Sequence, residues 1–207
     1  MRTVAINAAL ERTLTRERLR KYLEAANQDL DAAIALYEKN TRLSEAFYTP
    51  LQSLEICLRN CLTRELSLRY GDTWFGDPSV PLNDHSRRMI SEAIQELRRS
   101  RREMLQGRVI AELKFSFWVG LLGPHYDATL WRTCLYKAFL VGGGKPRKTV
   151  HSRLNALRRF RNRIAHHEPI LHHDVVATHT EIIETIGWMC RHTAAWAGSN
   201  SRVPDVL

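Results

Sequence analysis

The chain has little glycine, little proline and no long uncharged apolar run. Its 10 glycines and seven prolines fall mostly at breaks between periodic segments, which excludes collagen-like and loop-dominated architectures. The best apolar stretch, Phe115 to Leu122, is far shorter than the roughly 20 residues that cross a bilayer, so no membrane association is expected. Residues Met1 to Leu14 carry Arg2, Glu11 and Arg12 and lack the unbroken apolar core of a signal peptide. The expected location is therefore cytoplasmic. Cysteine is also scarce. Cys57, Cys61, Cys134 and Cys190 form no CxxC pairs, which removes the usual zinc framework and leaves small buried thiols in a reducing compartment as the expectation. Lysine is rare as well: only six of the 31 basic residues are Lys.

What is there is arginine and helical periodicity. The formal charge is +9, and 25 residues are Arg. The planar guanidinium fork suits phosphate, so the balance points toward nucleic acid. A coding bias toward high GC content produces the same excess, and charge alone does not decide. Strand-like alternation is nearly absent, while apolar residues recur at helical spacing throughout. We read one all-α domain over residues 1–207, with about seven to eight helices and one shared core. Thr15 and Asp29 are helix starts, the second helix ending near Asn40. A long helix follows from about Arg42 to Tyr70, kinked or divided by Pro50 and closed by Gly71. Residues 72–83 are a loop anchored by Trp74 and Phe75. Asn83 or Asp84 opens a helix to about Gln106, with Ile90, Ile94, Leu97, Met104 and Leu105 inward and Gly107 as its break. Further helices cover Val109 to Leu122, Ala128 to Leu140, Thr149 to about His167, and His172 to about Trp196. Residues 198–207 are a tail. The glycine loop at 142–146 lacks the spacing of a phosphate-binding loop.

The helix from Thr149 carries the most information. With Leu157 set at zero, Val150, Leu154, Phe160 and Ile164 fall within about 60° of it and form an apolar stripe. Arg161 falls at about 40°, inside that stripe. Such a charge needs a carboxylate, a partner subunit or a substrate anion as compensation. Asn162 and His166 are four apart, so the amide can orient the imidazole. Arg161 and His166 are about 140° apart on an ideal helix and do not converge within one straight helix.

The run Arg161-Asn162-Arg163-Ile164-Ala165-His166 resembles the Arg, polar residue, three variable residues, His signature of HEPN ribonucleases. Extended through His167-Glu168-Pro169-Ile170, it resembles the Abi-like (abortive infection) branch of that superfamily. Leu54 to Asn60, Tyr70-Gly71, Trp74-Phe75, and Glu112-Leu113 with Phe115 to Trp118 resemble further family segments in the same order. Ser116 stands where the family pattern has Gly. The resemblance spans about residues 15–190. It implies a HEPN-like helical bundle with additional helices, acting in phage defence. The implied activity is RNA cleavage with the RNA's own 2′-hydroxyl as nucleophile, with no metal and no cofactor.

On that reading Arg161, Asn162 and His166 are the catalytic residues. Histidine's ordinary pKa of about 6.5 suits general acid–base work. An always-charged arginine would neutralise charge gathering on the phosphoryl oxygens. Supporting or substrate-binding candidates are Glu55, Arg163, His167, Lys145, Arg147 and Lys148. Arg98, Arg99, Arg101 and Arg102 are a further basic run that could track an RNA backbone. The expected partners are RNA and a second copy of the chain, a dimer letting Arg161 and His166 face their copies. The residues do not specify an antitoxin-like partner. The bland alternative pairs Arg161 with Glu55 and sets His166 to cap the last helical carbonyls. Two rival functions stand beside the nuclease: a non-catalytic RNA- or protein-binding module, and a metal-dependent hydrolase using His166, His167, His172 and His173. Against the latter, His172 comes at the wrong spacing for HExxH, and Pro169 interrupts the helix that motif needs.

Overall fold

Helix starts follow short polar side chains that accept from the first free amides. Thr15 accepts from Arg18 N–H, Asp29 from Ala32 N–H, and Asn83 from Ser86 N–H. The computed structural model describes residues 2–207, and among them it contains ten α-helices and no strand. They are α1 (Val4–Leu14), α2 (Arg16–Ala25), α3 (Leu30–Ala46), α4 (Tyr48–Tyr70), α5 (Asp84–Arg99), α6 (Gln106–Glu112), α7 (Phe115–Gly120), α8 (Arg147–Ala165), α9 (Val175–Gly187) and α10 (Arg191–Ser199).

The count exceeds the sequence expectation because α1, before Thr15, is absent from that expectation and because two expected helices are divided. The break near Asn40 does not exist; α3 continues to Ala46 and the chain turns at Phe47. Pro50 explains the position, because its ring would clash with the carbonyl four residues back, at Ala46. Residues 109–122 split where Leu113 and Lys114 turn extended, so α7 starts afresh at Phe115. The expected helix at 128–140 consists of a π turn at Asp127–Trp131 and a 3-10 turn at Leu135–Phe139. The last helix divides between Gly187 and Arg191. Helix α5 stops at Arg99, and Arg101 takes a left-handed conformation. Met104 and Leu105, expected inward, are therefore exposed, and Gly107 lies inside α6. The tail is also folded: Val203 is buried, and a 3-10 turn at Pro204–Val206 packs near α3.

Helix α4 is the axis of the core. Leu54, Leu58, Leu62 and Leu66 lie one per turn along it and are all fully buried. Helices α7, α9 and α10 pack against it. Trp74, Phe117 and Trp118 fill the centre, with Trp118 edge-on to both of the other rings. Leu19, Tyr22, Leu23 and Ala33 make a separate small cluster between α2 and α3, joined to the main core through Leu171. Helix α8 lies on the main core by its apolar stripe. Val150, Leu154, Leu157 and Phe160 are buried, and Ile164, nearest its end, is half-buried.

Candidate functional site at the end of helix α8

The end of α8 is a complete helix stop. His166 is the last half-helical residue, and its N–H reaches the Asn162 carbonyl at 2.9 Å. His167 then turns left-handed at φ 56°. Its N–H bonds the Ile164 carbonyl at 2.9 Å, and Glu168 N–H bonds the Arg163 carbonyl at 2.7 Å. This is the paired pattern of a Schellman stop, with histidine where glycine is usual. An apolar contact normally closes that motif. Here Arg163 and Glu168 do so as ions, 3.3 Å apart, and Arg163 also donates to the Pro169 carbonyl at 3.1 Å. The chain then dives inward: Ile170 is fully buried, and its N–H bonds Oδ1 of the buried Asn40 at 2.7 Å.

Arg161 is not buried as the helical wheel implied. Its side chain is 41% exposed, and Nε lies 3.6 Å from Glu55 Oε2 on α4. The deep desolvation cost expected for a charge in the stripe therefore does not arise; such a half-exposed pair contributes little to stability. Arg161 and Glu55 line a groove of about 380 Å³ between α4 and the last turn of α8. Apolar Leu51, Ile56 and Ile164 form much of its wall, with the exposed Tyr48 ring at its edge. Arg59, one turn beyond Glu55, brings a second guanidinium to it. The four-residue spacing of Glu55 and Arg59 was a signal that could have placed Arg59 at this site.

His166 and His167 are exposed at the rim, next to groove-lining Ala165 but outside the groove itself. Among the described residues the His166 imidazole makes no hydrogen bond, so it does not cap the helix carbonyls, and Asn162 does not hold it through its amide. One chain thus brings Arg161, Arg59 and Glu55 together and leaves His166 beside them, as the wide angle between positions 161 and 166 requires.

The remaining candidates are dispersed. Arg147 starts α8, donates to Asp127 Oδ1 at 2.8 Å and to the Leu122 carbonyl at 2.9 Å, and is mostly enclosed. Although desolvation works the other way, the Arg147 and Arg132 guanidiniums hold the Asp127 carboxyl below its usual range. Lys145 lies over the Trp188 ring at 5.9 Å, and Lys148 is exposed. In the basic run, Arg99 pairs with Glu96 and Arg102 with Glu112.

His172 and His173 lie against each other with their rings tilted by 42°, and His173 also meets Phe160 edge-on. Burial pushes the His173 and His179 imidazoles down in pKa, and at His173 the neighbouring His172 and Arg163 add to it. Among the described residues no three His, Cys, Asp or Glu side chains are gathered as metal ligands. No helix is long and apolar enough to cross a membrane, among the same residues. Compared with known proteins, the chain matches no family model, no curated protein and no solved structure.

Proposed function

We propose that this chain is a metal-independent endoribonuclease of the HEPN type, serving phage defence by abortive infection. The observation that carries the reading is the juxtaposition at the end of α8. A two-guanidinium groove holds Arg161 and Arg59, and an exposed, unencumbered imidazole, His166, stands at its rim. His166 would take the proton from the RNA 2′-hydroxyl as that oxygen attacks phosphorus and the 5′-oxygen leaves. Arg161 would turn from Glu55 to the phosphoryl oxygens, where charge gathers. Asn162 is the adjacent polar support. A homodimer joined beside the end of α8 would bring two such half-sites together across a shared cleft.

The Arg161–Glu55 pair favours a second reading, a non-catalytic RNA-binding module, because the guanidinium already has an anionic partner. One assay separates the two. Wild type and His166→Ala are incubated with RNA in EDTA, and the product ends are mapped. The nuclease reading expects cleavage by the wild type alone, leaving a 2′,3′-cyclic phosphate and a 5′-hydroxyl. Binding without cleavage favours the module. Activity lost in EDTA and restored by zinc or magnesium overturns metal independence. For the composite site, mixed Arg161→Ala and His166→Ala subunits are expected to recover part of the activity that each lacks alone.

A further inference from the structure

Cys57 and Cys61 sit one turn apart on α4, and Cys190 stands at the N-cap of α10. All three open onto one cavity of about 460 Å³, with Arg64, Thr193 and Trp196 also in its wall. The sequence expectation for these cysteines is small buried thiols. That description fits Cys134, which is buried elsewhere, donates its S–H to the Leu130 carbonyl at 3.4 Å and has its pKa pushed up by burial. The other three differ. Cys57 is buried, while Cys61 and Cys190 are half-buried at the cavity.

The neighbouring Cys57 thiol and the Arg64 charge hold the Cys61 thiol down to about 7 against the effect of burial; Cys57 is pushed up in return. At the start of α10, Thr193 holds the Cys190 thiol below the ordinary range, against the effect of burial. Cys57 and Cys61 cannot bridge each other. Helical Cβ atoms four residues apart are about 5–6 Å apart, and a disulfide needs about 3.5–4.5 Å. Cys190 comes from another element and is free of that limit. Nor do the thiols form a metal-ligand group among the described residues.

We propose that Cys61 and Cys190 are an oxidisable dithiol, a modification site that takes hydroperoxides and closes to an intrachain disulfide tying α10 to α4. The Cys61 thiolate attacks the peroxide O–O bond and displaces hydroxide, leaving a sulfenic acid. The Cys190 thiolate then attacks that sulfur, the S–S bond forms, and a second hydroxide leaves. With hydrogen peroxide, two thiols are oxidised and one peroxide is reduced to two waters. Nothing in this depends on RNA cleavage.

The test treats the folded full chain with hydrogen peroxide, then alkylates it in denaturant for intact mass and peptide mapping. The expected result is a mass loss of two hydrogens, one Cys61–Cys190 linked peptide, and alkylated Cys57 and Cys134. Cys190→Ser is expected to lose the link and leave Cys61 trappable by dimedone, with an unchanged circular dichroism spectrum. If that variant fails to fold, the wild-type map decides alone. Four alkylated cysteines after peroxide, a link through Cys57 or Cys134, or a link between two chains overturns the proposal.

Discussion

The two ends of α8 are built on opposite plans. At its start, Arg147 is enclosed and fastened to Asp127 and to the Leu122 carbonyl. At its finish, the backbone is just as firmly tied, yet the side chains at 166 and 167 are left in solvent. Two nearby arginines divide along the same line: Arg163 secures the turn, while Arg161 faces a groove. The contrast teaches that one helix can carry a turn-securing and a groove-facing guanidinium two residues apart, and that residue type alone does not separate them.

Substitutions at the two ends are expected to break or sharpen this contrast. The largest effect falls on chemistry: His166→Ala is expected to lower RNA cleavage by about 10²–10⁴-fold, with the melting temperature nearly unchanged. Equal losses of activity and of folded protein would assign His166 a structural role. At the other end, Arg147→Ala is expected to lower Tm by about 2–4 °C while the folded fraction keeps its activity. A change in RNA affinity without a change in Tm would reverse that assignment.

Acid is expected to act next, through the segment that follows the stop. The folded pKa values of His173 and His179 lie below the ordinary value, so the unfolded chain takes up protons first. Stability is therefore full above about pH 6.5 and falls as the pH drops below it. Melting curves of His173→Phe/His179→Phe against wild type are expected to show a shallower acid-side decline.

Arg163→Ala is expected to lower Tm by about 1–2 °C, since its ion pair is part-exposed and the backbone stop remains. An effect of similar size has the opposite sign: His167→Gly relieves a left-handed side chain and is expected to add about 0.5–1 kcal/mol. A loss of stability there would mean that the His167 side chain makes contacts worth more than the strain.

Periodicity and caps were legible in the sequence. The stripe from Val150 to Phe160 is buried as expected, and Thr15, Asp29, Asn83 and Gly71 mark helix ends. Interruptions within apolar runs were not. Residues 113–114 and 188–190 break the helix while apolar residues continue on both sides of the break, so spacing alone does not register it. At the site, Glu55 was named as a partner of Arg161, yet exposure was misjudged: a wheel angle places Arg161 among apolar neighbours without showing that the stripe runs out at the helix end. The thiol cavity escaped notice because Cys190 reaches α4 only through tertiary packing.

The hydrogen bond from Ile170 to Asn40 joins positions 130 residues apart. Closing so long a stretch has a high entropic cost, and contacts of that separation form after local helices and neighbouring pairs are in place. The turn that presents His166 is therefore expected to lock late in folding. A nascent chain would carry its arginines early and its finished turn only once residue 170 meets α3, a built-in delay between synthesis and competence.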